Sequence, residues 1–317
     1  MKRAIFRKGL VIIFLLILMM NFFPITIISE QKSNDYSSSN LLASSPLEYA
    51  YKCDRLSHID ENYGNPQAIY VVKNYFSTIA FIADNSGGLV IVDVTDSEDP
   101  QFISQLSGMV ARYIYVSHQT AYVGTNEDVK VIDVSDLKHP RLRKTLDIPL
   151  VNAINGKDDL LVVSALFNGA IFFDISSPSN PVEINGYLGS SVYYDMILYE
   201  NYLFLCHTSL TILDVSNPSS YSVVSQISVG CPFNSRIFLY EDWIFVFGLS
   251  AGIFLIDVSD YSNPLIVDQY NDSGLDYISG FVKNDILYSL TEERLELFEL
   301  GDFSTIEGSD VLPLSIK

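Results

Sequence analysis

The chain has 317 residues, 48% hydrophobic and only 18% charged, with 20 Tyr and 19 Phe. Such a composition excludes a disordered or collagen-like chain and supplies a core of strand-favouring aromatics. The net charge is −19, and four of the 19 basic residues (Lys2, Arg3, Arg7, Lys8) lie in the first eight positions, leaving residues 31–317 with 15 basic and 37 acidic side chains. A body that acidic excludes nucleic acid and anionic lipid headgroups as partners; it tolerates cationic ones, and it also serves plain solubility.

The first predicted element is a targeting segment. The basic stretch MKRAIFRKGL runs into the apolar LVIIFLLILMMNFFPITIIS at 10–29, an n-region followed by an h-region. Residues 1–29 are therefore read as a signal peptide or a signal anchor, and a helix of about 20 apolar residues is long enough to span a bilayer. The lack of an A-x-A cleavage pattern near residue 30 favours an uncleaved anchor, which would tie the protein to the membrane. Basic residues before the span place the body outside. Either way the predicted location is the extracellular face of the membrane, or secreted. Residues 30–47, EQKSNDYSSSNLLASSPL, read as a Ser-rich flexible stalk.

From residue 48 the chain repeats itself. LVIVDVTDSEDP at 89–100 returns as VKVIDVSDLKHP (129–140), AIFFDISSPSNP (170–181), LTILDVSNPSSY (210–221) and IFLIDVSDYSNP (253–264), with a decayed copy LELFELGDFSTI at 295–306. The aspartates are Asp93, Asp133, Asp174, Asp214 and Asp257, spaced 40, 41, 40 and 43 residues apart, with Glu299 in the sixth place. Two strand-like runs precede each motif and one follows it. Four short strands at this period predict a β-propeller blade. An aspartate present once per unit marks architecture, not one active site. Its carboxylate is placed to accept hydrogen bonds from the following backbone N–H groups and fix a turn. The cluster Asp93, Asp96, Glu98 and Asp99 has the spacing of no calcium loop.

The motif resembles the LVIVD repeat of bacterial and archaeal surface proteins, whose name is spelled by residues 89–93, and the resemblance covers about residues 52–306. It implies a β-propeller, and the five full units with the decayed sixth make the expected fold all-β: a six-bladed β-propeller of four-stranded antiparallel blades over residues 48–317, preceded by the N-terminal hydrophobic helix or signal segment. It implies little about activity, since propellers host many. The run CDRLSHIDENYG (53–64) is predicted to supply the outer strand of the last blade, with the tail at 307–314 as a competitor for that place.

Function in a propeller resides in blade-specific positions. Where the innermost strands begin, one slot reads Gln67, Arg112, Asn152, Tyr194, Ser235, Tyr277, and the next Ala68, Tyr113, Ala153, Asp195, Arg236, Ile278. Asp195 and Arg236 share a slot in adjacent blades and are placed to form a charge-assisted pair at the channel rim. It reads either as a satisfied structural pair or as part of a ligand-binding rim formed by Arg112, Asn152, Tyr194, Asp195, Arg236 and Tyr277.

His58, His118, His139 and His207 share no ligand spacing, so no metal is expected. Cys53, Cys206 and Cys231 allow one bridge at most. Cys206 falls at a small-residue position and reads as a buried thiol, with a Cys206–Cys231 pair left open. Asn271-Asp272-Ser273 is a glycosylation sequon in a loop. No nucleophile elbow, zinc-protease, P-loop or dinucleotide motif is present, and no cofactor is expected. The sequence points to a non-enzymatic exported or surface-anchored module binding a protein or glycan. The alternative is an extracellular hydrolase or lyase acting on glycans at the channel mouth; a purely structural envelope unit is a third reading.

Overall fold

The structure is a computed structural model that describes residues 64–187, 192–230, 235–272, 274–283, 286–291, 294–300 and 315–316. It is a six-bladed propeller. Blade 1 consists of strands Pro66–Lys73, Thr78–Asp84, Gly88–Asp93 and Gln101–Leu106, each pairing antiparallel with the next. The same four-stranded order recurs over residues 113–146, 151–187, 195–228 and 236–270, and in a sixth sheet over 277–299 with 315–316. Among the described residues no helix is long and apolar enough to cross a membrane. The segments read as targeting segment and stalk, 1–29 and 30–47, lie outside the described residues.

The tight turns follow from local chemistry. The hairpins joining first and second strands in blades 2 to 5 are two polar residues long, and their backbone is left-handed at His118, Gln119, Asp158, Glu200 and Glu241. That twist matches the strands they join.

The second and third strands are buried on both faces, so they read as unbroken apolar runs. Alternation sends successive side chains to different neighbours. In blade 4, Leu203 and Leu205 pack with Val162 and Phe172 of blade 3, while Phe204 and Cys206 pack with Ile244 and Val246 of blade 5. A lone blade could not cover both sets, and stacking around an axis does. Close approach is needed at Gly156, where a Cβ would collide with the Tyr115 ring of blade 2.

Each motif aspartate holds its turn. The N–H groups of Thr95, Ser135, Ser176, Ser216 and Ser259 donate to Oδ1 of Asp93, Asp133, Asp174, Asp214 and Asp257 at 2.8–2.9 Å. Hydrogen bonds from the hydroxyl and N–H of that residue hold Asp93, Asp133, Asp174 and Asp214 below the usual carboxylate range. Arg143 adds a 2.6 Å ion pair to Asp133.

The outer strand of the last blade differs from the expectation. It comes from the C-terminus: Ser315–Ile316 pairs antiparallel with Leu295–Glu299, Ile316 opposite Phe298 and Ser315 opposite Glu299. Of the run at 53–64 only Gly64 falls within the described residues.

Candidate functional site

The innermost strands of all six blades begin at one face, the channel mouth. Hydrogen bonds from the N–H of Arg112 to the Gly124 carbonyl and of Tyr194 to the Cys206 carbonyl, both 2.9 Å, fix the residue just before the strand. The register then sets one slot, filled by Ala68, Tyr113, Ala153, Asp195 and Arg236, which face Ala83, Gly124, Ser164, Cys206 and Phe247 on the second strands.

In blade 6 this slot holds Ser279, opposite Leu290, as the unbroken register from the pair Lys283 and Ile286 back to the pair Ser279 and Leu290 sets it. The sequence alignment of Tyr277 and Ile278 is therefore one residue out, and Tyr277 does not join the rim. It is fully buried, packs edge-on against Tyr270, and its hydroxyl donates to Glu296 at 2.8 Å.

Asp195 and Arg236 lie at the hub, 6% and 7% exposed, not at an open rim. Each reaches for the backbone of the other's strand. The Asp195 carboxylate accepts from the N–H of Met196 (2.9 Å) and, across the blade boundary, from that of Ile237 (3.0 Å). The Arg236 guanidinium donates to the Tyr194 carbonyl at 2.8 Å. Burial pushes the Asp195 carboxyl upward, opposed by the Arg236 charge and by the two N–H groups.

Tyr113 enters from blade 2, on the far side of the ring. Burial pushes its hydroxyl up to about 12, against the pull of Arg236 and Arg112, and Arg236 hydrogen-bonds it. A chain of Tyr113, Arg236 and Asp195 thus crosses the axial channel. Next to it the His207 imidazole is held below its ordinary value by burial, with its ring 5.1 Å from that of Tyr194.

Around the hub the residues are more open. Arg112, Asn152 and Tyr194 are half-buried, whereas Gln67 and Ser235 are buried; the Gln67 amide donates to Asn65 Oδ1 at 2.8 Å. Beside Asn152 are two apolar residues that sequence reasoning missed. Leu150 and Phe167 both have left-handed backbone, φ 58° and 68°, and are 43% and 72% exposed. The Leu150 carbonyl accepts from the N–H of Leu166 at 2.9 Å, so the two loops form one unit. The sequence signal is an adjacent pair of large apolar residues, Leu166-Phe167, in a turn that is polar in blades 1, 2 and 4 and holds a single large apolar residue, Leu249, in blade 5.

Among the described residues no group of three His, Cys, Asp or Glu is placed to hold a metal. Cys206 is buried opposite Asp195; Cys53 and Cys231 lie outside the described residues, as does Ser273 of the sequon, while Asn271 is exposed and donates to the Ser250 carbonyl at 3.1 Å.

Solved structures share the architecture at very low identity. A protein from Lactobacillus plantarum superposes with a TM-score of 0.62 at 11% identity, covering 81% of this chain and 86% of that one. A Bacteroides uniformis protein described as a candidate 6-phosphogluconolactonase gives 0.59 at 8% identity, covering 74% and 81%. The computationally designed protein Ika8 gives 0.56 at 12%, covering 74% and 71%. These likenesses are of fold alone. No curated protein sequence matches the chain. The family model for the LVIVD repeat matches at residues 63–110, 107–147, 165–188, 194–228 and 234–272. Together these matches take in more than half of the chain, which belongs to the LVIVD repeat family.

Proposed function

We propose that this propeller is exported, held at the cell surface, and binds a protein or glycan partner at its channel mouth without turning it over. The observation that carries the reading is Phe167, with Leu150 beside it. A bulky apolar side chain is held in solvent on left-handed backbone, a conformation costing about 1–2 kcal/mol that burial does not offset. Such a residue at the mouth fits a contact made with something else. Arg112, Asn152 and Tyr194 add polar groups next to it. Export rests on the basic-then-apolar N-terminus of the sequence.

An enzymatic reading draws on the convergence of Arg112, Arg236, Asp195 and Tyr113 at the hub, and on the lactonase description carried by one structural neighbour. Against it, the Asp195 oxygens already accept backbone N–H groups and Arg236 already bridges two blades, which leaves little for a substrate. The full chain is to be screened against a glycan array and a panel of surface-protein ectodomains, and assayed on lactones and glycosides. Binding weakened by Phe167→Asn, with no turnover, is the expected result. Turnover by the full chain that Asp195→Asn abolishes at a temperature where that variant is still folded would defeat the non-enzymatic reading.

A further inference from the structure

We propose that the opposite face carries a second docking surface, centred on Tyr75–Phe76, for a cationic protein segment. In blades 2 to 5 the first hairpin on this face is two polar residues: His118-Gln119, Asp158-Asp159, Glu200-Asn201 and Glu241-Asp242. Blade 1 departs from them with the four-residue turn Asn74-Tyr75-Phe76-Ser77. Tyr75 is fully exposed and Phe76 is 93% exposed. Exposed to this degree, the two rings contribute nothing to the core formed by the described residues.

The turn that carries them is nonetheless held firmly. Asn74 Oδ1 accepts from the N–H groups of Phe76 and Ser77, both at 2.8 Å, and the Asn74 N–H donates to the Ser77 carbonyl at 2.9 Å. The N–H of Thr78 is pinned to the Thr95 hydroxyl at 2.9 Å. A preordered pair of aromatics binds with little loss of conformational freedom, and aromatics dominate interface energetics.

Charge decides the partner. The blade 1 motif loop that pins this hairpin carries Asp93, Asp96, Glu98 and Asp99 beside the hairpin's own exposed Lys73, and farther round the face the hairpins of blades 3 to 5 add Asp158, Asp159, Glu200, Glu241 and Asp242. Asp158, Asp159 and Glu200 also border a groove of about 410 Å3 between blades 3 and 4. Its one lysine, Lys157, donates to the Glu200 carbonyl at 3.1 Å. The field here attracts basic side chains and repels phosphate, anionic glycan and anionic lipid. Lys and Arg also stack on aromatic faces. The surface is separate from the channel mouth and does not rest on the function proposed there.

The test uses the full-length protein and a fluorescein-labelled peptide of alternating Lys and Leu, with the Glu-for-Lys peptide as its control. The lysine peptide should bind and the glutamate peptide should not, and binding should weaken between about 50 mM and about 500 mM NaCl. The double variant Tyr75→Ser/Phe76→Ser should bind about thirtyfold more weakly with unchanged melting. Phe167→Asn should leave this binding intact. Equal binding by the double variant means mere charge attraction and overturns the proposal. So does capture of neutral phosphatidylcholine vesicles or neutral glycans, in place of the lysine peptide, through the same two residues. Loss of binding in Phe167→Asn would place the peptide at the mouth and also overturn it.

Discussion

Asp195→Asn removes one charge from the hub and keeps the shape. In the native hub each carboxylate oxygen accepts one N–H, from Met196 and from Ile237. An asparagine amide has one acceptor oxygen, so one of these buried donors then faces an NH2 group. An unsatisfied buried donor costs about 1–3 kcal/mol. Burial already raises the Asp195 pKa, so loss of the charge itself adds little to that cost. We therefore expect a total of about 1–3 kcal/mol, a fall in Tm of roughly 5 °C for a domain of this size. The assay is thermal unfolding followed by circular dichroism, with Arg236→Met and the double variant alongside. The double variant should lose less than the two singles added together, because both side chains bridge the same two blades. If Asp195→Asn melts within about 1 °C of the wild type, the carboxylate does not tie blades 4 and 5, and the reasoning fails.

Other outcomes follow from the same structure. The lowered pKa values of Asp93, Asp133, Asp174 and Asp214 mean that the folded state binds fewer protons than the unfolded one. Their stabilisation is complete above the ordinary carboxylate value of about 3.9 and is lost as pH falls through the lowered values. Asp195 has the opposite sign: its raised pKa makes its contribution decline as pH rises past that ordinary value. Melting curves from about pH 6 to about pH 2.5 should show the acid loss, with the four turns outweighing the single hub acid. Phe167→Asn relieves left-handed backbone and should raise stability by about 0.5–1 kcal/mol while weakening partner binding; a fall in Tm contradicts the strain argument. Gly156→Ala drives a methyl group into the Tyr115 ring and should destabilise by about 1–3 kcal/mol, read from a urea midpoint. Pairing it with Tyr115→Leu should recover part of that loss.

Much of this was legible because the repeat itself carries the information. Five aspartates at nearly equal spacing fix the end of every third strand, and with it the register of Asp195 and Arg236. Blade 6 escaped by one residue because Tyr277, Ile278 and Ser279 carry no mark that fixes the register of an inner strand. Nothing marks the closing strand in the sequence, since two residues, Ser315 and Ile316, are too few for a period. Tyr113 stood in the same slot as Asp195 and Arg236 but outside the set read as the ligand rim, and only the ring brings its hydroxyl to Arg236. Tyr75 and Phe76 blend into the apolar run on either side of Asn74, so their exposure emerges only when the hairpin is built. Phe167 and Leu150 stand out by backbone angle, a property composition does not express.

The chain of side chains across the hub has a mechanical consequence. A ring of blades joined only to immediate neighbours can be squashed toward an oval while each neighbouring contact survives. Blades 2 and 5 sit opposite one another, and Tyr113 meets Arg236 between them. That link acts as a crossbar and resists flattening along one diameter. A load on the blade 2 side of the mouth therefore reaches blade 5 straight through the centre, and through Asp195 blade 4 as well, without travelling around the rim.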